Sequence, residues 1–208
     1  DSTYDGIQFK TGGGQLPNVA ITNVRIDRSN NGAGILAMSG AQGSANRLVD
    51  TNGSAVFADG DGTIGGNPSA RSNSVVVTDA GTSFTVASAH LFVGRNGPFS
   101  QLIITNGGRV MNSIGSSSMG DSPDGSNNLV LVTGPGSLLT NRISLTIGSA
   151  SDANRLVVTN GAQVQGRYGT IGLNFNRNEA VITGAGSLWN NGEELVVGAS
   201  ANGSRLVV

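Results

Sequence analysis

The side chains whose spacing comes nearest to a ligand-holding cluster are Asp59 and Asp61 in ADGDG, and Asp121 and Asp124 in GDSPDGSNN. Closely spaced carboxylates in a glycine-containing turn supply the hard oxygen ligands that calcium requires. Neither turn has the EF-hand spacing or a GGxGxD nonapeptide, and plain Asp-Gly turns put the same residues to a commoner use. They are weak calcium candidates, and no other cofactor is expected. His90 is the single histidine, so no histidine-dependent triad or multi-histidine metal centre can be assembled; it is expected at a corner beside Leu91. Glycosidases bring two carboxylates to within about 5 to 10 Å of each other. Asp79, Asp152, Glu179, Glu193 and Glu194 are scattered through turn-like stretches instead. A non-enzyme is the expectation. The alternative is a carbohydrate-active or carbohydrate-binding β-helix, lyase-like or hydrolase-like, whose working groups lie in the turns.

What would position these residues is a repeat. RLVDTNG ends at Gly53, QLIITNG at Gly107 and RLVVTNG at Gly161, so the motif returns at equal intervals. Midway between them stand VVVTDAG, LVLVTGPG and AVITGAG, ending at Gly81, Gly136 and Gly186. Two turn types therefore alternate, and a recurrence on this scale signals a solenoid or propeller. A threonine closes the first strand of every unit, at Thr22, Thr51, Thr78, Thr105, Thr133, Thr159 and Thr183, in nearly even steps. Each unit reads as three short strands, too short for the four-stranded blades of a propeller. An apolar residue followed by glycine ends the third strand, as in Val93-Gly94 and Ile147-Gly148. We expect an all-β, right-handed parallel β-helix (β-solenoid) of seven to eight three-strand rungs. Residues 1–17 form a lead-in segment or cap, and residues 18–208 one solenoid domain.

Composition agrees. Among 208 residues there are 33 Gly, no Cys, 12% charged and 4% aromatic residues, with a net charge of −1. Such a chain suits many tight turns and slim strands rather than one thick core. Near-neutrality gives no reason to expect nucleic acid as partner, and no apolar run approaches the roughly 18 residues that span a bilayer. The start at Asp1 and the stop in mid-motif at Val208 suggest a mature product or an internal piece.

Three columns carry further expectations. Asn46, Asn73, Asn128, Asn154 and Asn178 recur at rung junctions, where stacked amides can hydrogen-bond along the axis. After TNG the inward residue of strand two is Val56, Val110 or Val164; after the longer turn it is Phe84, Leu139 or Trp189, so the extra residue is absorbed and register survives. Asp50 stands where other rungs have Ile104, Val132 or Val158, which would bury a carboxylate. Alternation lets only one of the two apolar columns face inward; if it is the column of Asp50, then Val76, Ile103, Leu131, Val157 and Val181 face out, and an apolar ladder facing out marks a self-association surface, end-to-end or lateral.

The strings running from Val181 to Val208 and from Arg155 to Gly161, with TNG alternating with TGxGS and a bulky residue, resemble the PEP-CTERM-associated or type V secretion (autotransporter-like) β-helix repeat over about residues 46–208. That resemblance implies an extracellular location at a bacterial cell surface. It also implies a structural or adhesive role as stalk, spacer, adhesin passenger or fibre subunit, with a host or matrix glycan or protein as partner and no catalytic residues to carry over.

Overall fold

A computed structural model describes residues 7–9, 19–22, 25–26, 35–37 and 47–208, with side chains described from 47 onward. The lead-in segment 1–17 falls largely outside the described residues, as does Asn46. The first strands are β1 (Ile7–Phe9), β2 (Val19–Thr22), β3 (Arg25–Ile26) and β4 (Ile35–Ala37). Three turns of three strands follow: β5 (Arg47–Thr51), β6 (Ala55–Ala58) and β7 (Gly62–Ile64); β8 (Ser74–Thr78), β9 (Ser83–Val86) and β10 (Leu91–Val93); β11 (Gln101–Thr105), β12 (Arg109–Asn112) and β13 (Ser117–Met119). Three more are β14 (Leu129–Thr133), β15 (Leu138–Asn141) and β16 (Ser144–Ile147); β17 (Arg155–Thr159), β18 (Gln163–Gly166) and β19 (Tyr168–Ile171); β20 (Glu179–Thr183), β21 (Leu188–Asn191) and β22 (Leu195–Val197). β23 (Arg205–Val207) opens another.

Among the described residues the chain is all β, and its strands stack into a solenoid with three parallel sheets. The first sheet runs β2-β5-β8-β11-β14-β17-β20-β23, the second β3-β6-β9-β12-β15-β18-β21, the third β7-β10-β13-β16-β19-β22, and β1 pairs with β4. The expected seven to eight rungs become eight strands in the first sheet, with six complete three-strand turns among the described residues. Strands this short have too little surface to hold themselves. Each is stabilised by hydrogen bonds to the turns on either side.

Register is set by the apolar pattern. The closing threonines align, Thr78 with Thr105, then Thr133, Thr159 and Thr183. In the second sheet Val56, Phe84, Val110, Leu139, Val164 and Trp189 stand side by side, so the longer turn absorbs its extra residue as expected. Leu102, Ile104, Val110 and Met119 of one turn are fully buried, as are Val130, Val132, Leu139 and Ile147 of the next. Burying each such side chain contributes roughly 1.5 to 3 kcal/mol.

The column of Val76, Ile103, Leu131, Val157 and Val181 does face away from the core, but it is not the exposed ladder that alternation alone suggested. Val76 is buried and the other four are half-buried. Parallel in-register stacking puts neighbours of one column about 4.8 Å apart, so each side chain covers the next. Asp50 does point inward and is 1% exposed.

The corners explain the glycines. TNG forms a turn in which asparagine and glycine both take positive φ, 51° and 86° at Asn106 and Gly107, closed by Gly108 N donating to Thr105 O at 2.9 Å. Both residue types tolerate this region. At the third corner a Cβ added to Gly148, whose φ is +74°, would fall 2.0 Å from Asn178 Nδ2. That glycine ladder is the space into which the asparagine column fits.

Candidate functional site

The asparagine column is a hydrogen-bonded ladder. Asn128 Nδ2 donates to Asn154 Oδ1 at 2.9 Å, and Asn154 Nδ2 to Asn178 Oδ1 at 3.2 Å. Backbone amides join it: Ser100 N donates to Asn128 Oδ1 at 2.7 Å and Asn154 N to Asn178 Oδ1 at 2.8 Å. Sequence inspection missed Ser100, which is fully buried in the place an asparagine would take. It also missed the residue before each member, which is left-handed whatever its type: Ser72, Phe99, Asn127, Ala153 and Arg177 have φ of 56° to 60°. No residue-type signal marks that column, because the corner rather than the side chain demands the conformation.

The two turn types prove to be chemical complements. Asn106 Nδ2 of a TNG turn donates to Thr78 Oγ1 of the preceding turn at 3.3 Å, and Asn160 Nδ2 to Thr133 Oγ1 at 3.2 Å. On the other side Gly53 N donates to Thr82 Oγ1 of the following turn at 2.9 Å, Gly107 N to Ser137 Oγ at 3.0 Å, and Gly161 N to Ser187 Oγ at 3.1 Å. The hydroxyl after the longer turn is what the glycine N–H of the shorter one needs, which is the physical content of the alternation.

The acidic residues are used between turns. Asp61 accepts from His90 N at 3.1 Å and pairs with Arg95 Nη1 at 3.3 Å. The Arg95 guanidinium in turn lies 4.4 Å over the Phe92 ring, and His90 is at the expected corner. Asp59 sits nearby, half-buried, in the same loop. Asp121 accepts from Ser118 Oγ at 3.1 Å, and Asp124 is exposed. Among the described residues no three His, Asp or Glu side chains gather as a metal centre would have them.

Glu179 bridges Arg155 and Arg205, at 2.5 Å to each; burial works to raise its carboxyl, but the two guanidiniums outweigh it and the net shift is downward. Glu193 is lowered by the Tyr168 hydroxyl and by Arg167, and Asp79 by the Thr51 hydroxyl. Asp50 is the described carboxyl that moves the other way, pushed up to about 6 by burial against the partial relief of a hydrogen bond from the Ser54 hydroxyl. It is sealed inside the coil, away from both grooves described next.

Two polar grooves run along the corners. The larger, about 580 Å³, crosses three turns at the third corner, lined by Asn127, Asp152, Phe175, Asn176 and Arg177. Asp152 spans it by accepting from Asn176 N at 2.8 Å and pairing with Arg177 at 3.4 Å. Pro123 lines the same groove, which puts the Asp121 and Asp124 turn at its edge. The second, about 420 Å³, lies at the second corner among Thr140, Arg142, Gln165, Arg167, Asn190 and Glu193.

No known family, curated protein or solved structure matches the chain. The resemblance to autotransporter-like repeats therefore stands on the TNG and TGxGS motifs alone.

Proposed function

We propose that this solenoid is a non-enzymatic structural or adhesive element of a bacterial cell surface, secreted and serving as a stalk, spacer, adhesin passenger or fibre subunit. The observation that carries the reading is the use to which the polar residues are put. Asparagines, turn hydroxyls and most paired carboxylates hold one turn to the next, and a rod whose chemistry is spent along its axis is suited to transmitting position and load.

Self-association belongs to the same reading. β21 and β22 are edge strands, and beside them Ile182, Leu188, Trp189, Leu195 and Leu206 line an apolar hollow of about 180 Å³. A further parallel turn laid there, from this chain or from another copy, would bury those side chains and pair the open backbone.

The groove at the third corner favours one second reading, a surface that holds an extended glycan. An aromatic face beside amides and a carboxylate offers the stacking and hydrogen bonds that sugars use. One screen separates the readings. The purified chain is incubated with a panel of polysaccharides, and we expect no turnover; turnover abolished by Asp152→Asn would overturn the structural reading. Binding without turnover, lost on Phe175→Ala, would support an adhesin. Sedimentation at micromolar concentration should show association, and Val157→Lys together with Ile103→Lys should leave an end-to-end contact intact while removing a lateral one.

A further inference from the structure

At the second corner the last residues of strand two form one inward column. Val86, Asn112, Asn141, Gly166 and Asn191 stand in that column, aligned turn by turn. Asn112 is satisfied by its own corner: its Nδ2 donates to Ser116 O at 2.9 Å and lies 3.3 Å from Ser117 Oγ, while Gly115 N donates to its Oδ1 at 3.0 Å.

The next turn cannot repeat this. Ser117 aligns with Leu145, so four residues separate Asn112 from its corner partner Ser117 but only three separate Asn141 from Leu145. The shortened corner has lost a backbone donor, and leucine has replaced the hydroxyl. Asn141 is 2% exposed, and neither its Nδ2 nor its Oδ1 has a hydrogen-bond partner in the protein. Two turns on, Asn191 has three residues before Leu195, and its buried Oδ1 is likewise without a partner. Trp189 Nε1 is a fourth such atom, and the edge of its ring lies against Gly169 at the same corner.

Between the two amides stands Gly166. A Cβ built there would meet nothing closer than 3.5 Å, its nearest neighbours being Asn141 O, Asn141 Cβ at 3.7 Å and Asn191 Oδ1 at 3.7 Å. The missing side chain leaves a slot inside the column, between asparagines two turns apart. The unpaired polar atoms that the two flanking amides bring to it are one donor, Asn141 Nδ2, and two acceptors, Asn141 Oδ1 and Asn191 Oδ1. Donors disfavour a metal ion and acceptors disfavour an anion. A molecule with two hydrogens to give and a lone pair to receive one matches the set, and an exchange of the Asn141 amide N and O would not alter the count.

We infer that the slot at Gly166 is a binding site for an ordered water molecule, which bridges Asn141 and Asn191 and takes the place of the missing rung of an internal asparagine ladder. A buried amide left unsatisfied is costly, and a polar slot with two to four partners is where proteins keep internal water. Asn141 and Gly166 also line the groove at the second corner, so the slot lies in the wall of that groove, against the buried Asn141 side chain.

Two measurements test it on the whole chain. A high-resolution crystal structure should show density within about 2.7 to 3.2 Å of the Asn141 and Asn191 amides; a dry slot with those amides turned to protein partners overturns the inference. Gly166→Ala has room for its methyl group and ordinarily gains from a stiffer unfolded chain. With water in the slot the methyl displaces it and strands the amides, so the melting temperature should fall below that of the unaltered chain. A melting temperature equal or higher also overturns the inference, and if the variant does not fold, the crystallographic result decides.

Discussion

Replacing Asp50 by asparagine removes a charge from the core without changing its shape. Asp50 sits in the inward column that elsewhere carries Val77, Ile104, Val132 and Val158, is 1% exposed, and has one carboxyl oxygen against the Ser54 hydroxyl and the other without a protein partner. Burial lifts its pKa from 3.8 to about 6. A folded pKa above the unfolded one means that the folded chain binds the proton more tightly. Its contribution is therefore fully present below pH 3.8 and is lost as pH rises through 6. At about 1.4 kcal/mol per pH unit of difference, the loss is on the order of 3 kcal/mol by neutral pH. The substituted amide keeps an acceptor for Ser54 and never titrates. Urea unfolding of both chains from pH 4 to pH 8 should show Asp50→Asn nearly equal to the parent at pH 4 and increasingly more stable above it, levelling off past pH 6. Asp50→Val should also gain at neutral pH, because it restores the apolar column. The other carboxylates cancel in the difference between chains. A variant that is less stable than the parent at pH 7, or a difference independent of pH, would show that Asp50 is ionised and paired.

Three further expectations follow from the corners. Gly148→Ala should cost on the order of 3 kcal/mol in denaturant unfolding, from positive φ and from displacing the Asn178 amide. Gly53→Ala, with nothing within 4 Å of the added methyl, should cost only the backbone part, about 1 to 2 kcal/mol; equal losses would refute the docking of ladder into corner. Asn154→Ala removes acceptors for Asn128 N and Nδ2 at once and should cost about 3 kcal/mol, with amide exchange accelerated in the turns on both sides rather than in one. Phe99→Gly, at a left-handed position where the side chain is 48% exposed, should stabilise by about 1 kcal/mol in the same unfolding assay, and a loss would mean that the ring has a contact that matters.

The fold could be read from the sequence because its signal repeats. A threonine at nearly even steps, a glycine after each third strand and a one-residue offset in strand two are all fixed by backbone geometry that each turn must satisfy again. What could not be read is set by neighbours rather than by type. Val76 and Val157 face outward, yet the stacking that no single strand reveals leaves them covered. Ser100 stands in for asparagine, and Phe99 or Arg177 takes a left-handed corner, with nothing in the residue to announce it. Asp59 with Asp61, and Asp121 with Asp124, stand out by spacing along the chain. Asp61 also pairs with Arg95, far along the sequence but only one turn away in the coil, a separation that the repeat length brings to contact and local spacing hides.

The complementarity of the two turn types gives the chain a parity. Asn106 reaches back to Thr78, and Gly107 reaches forward to Ser137; every turn has the threonine, but the forward bond needs the hydroxyl of the longer turn, a place taken by Gly108 and Ala162 after TNG. Excision of a single longer turn would set like against like, leaving the glycine N–H of one TNG turn facing Gly108 or Ala162 of the next with no hydroxyl across the splice. Excision of two, the whole stretch from one TNG to the next, restores every partner. Changes in length that survive should therefore come in doublets, so the heritable unit of such a rod is a pair of turns, and a lineage lengthening or shortening it would step by that quantum even though the coil itself would accept half of it.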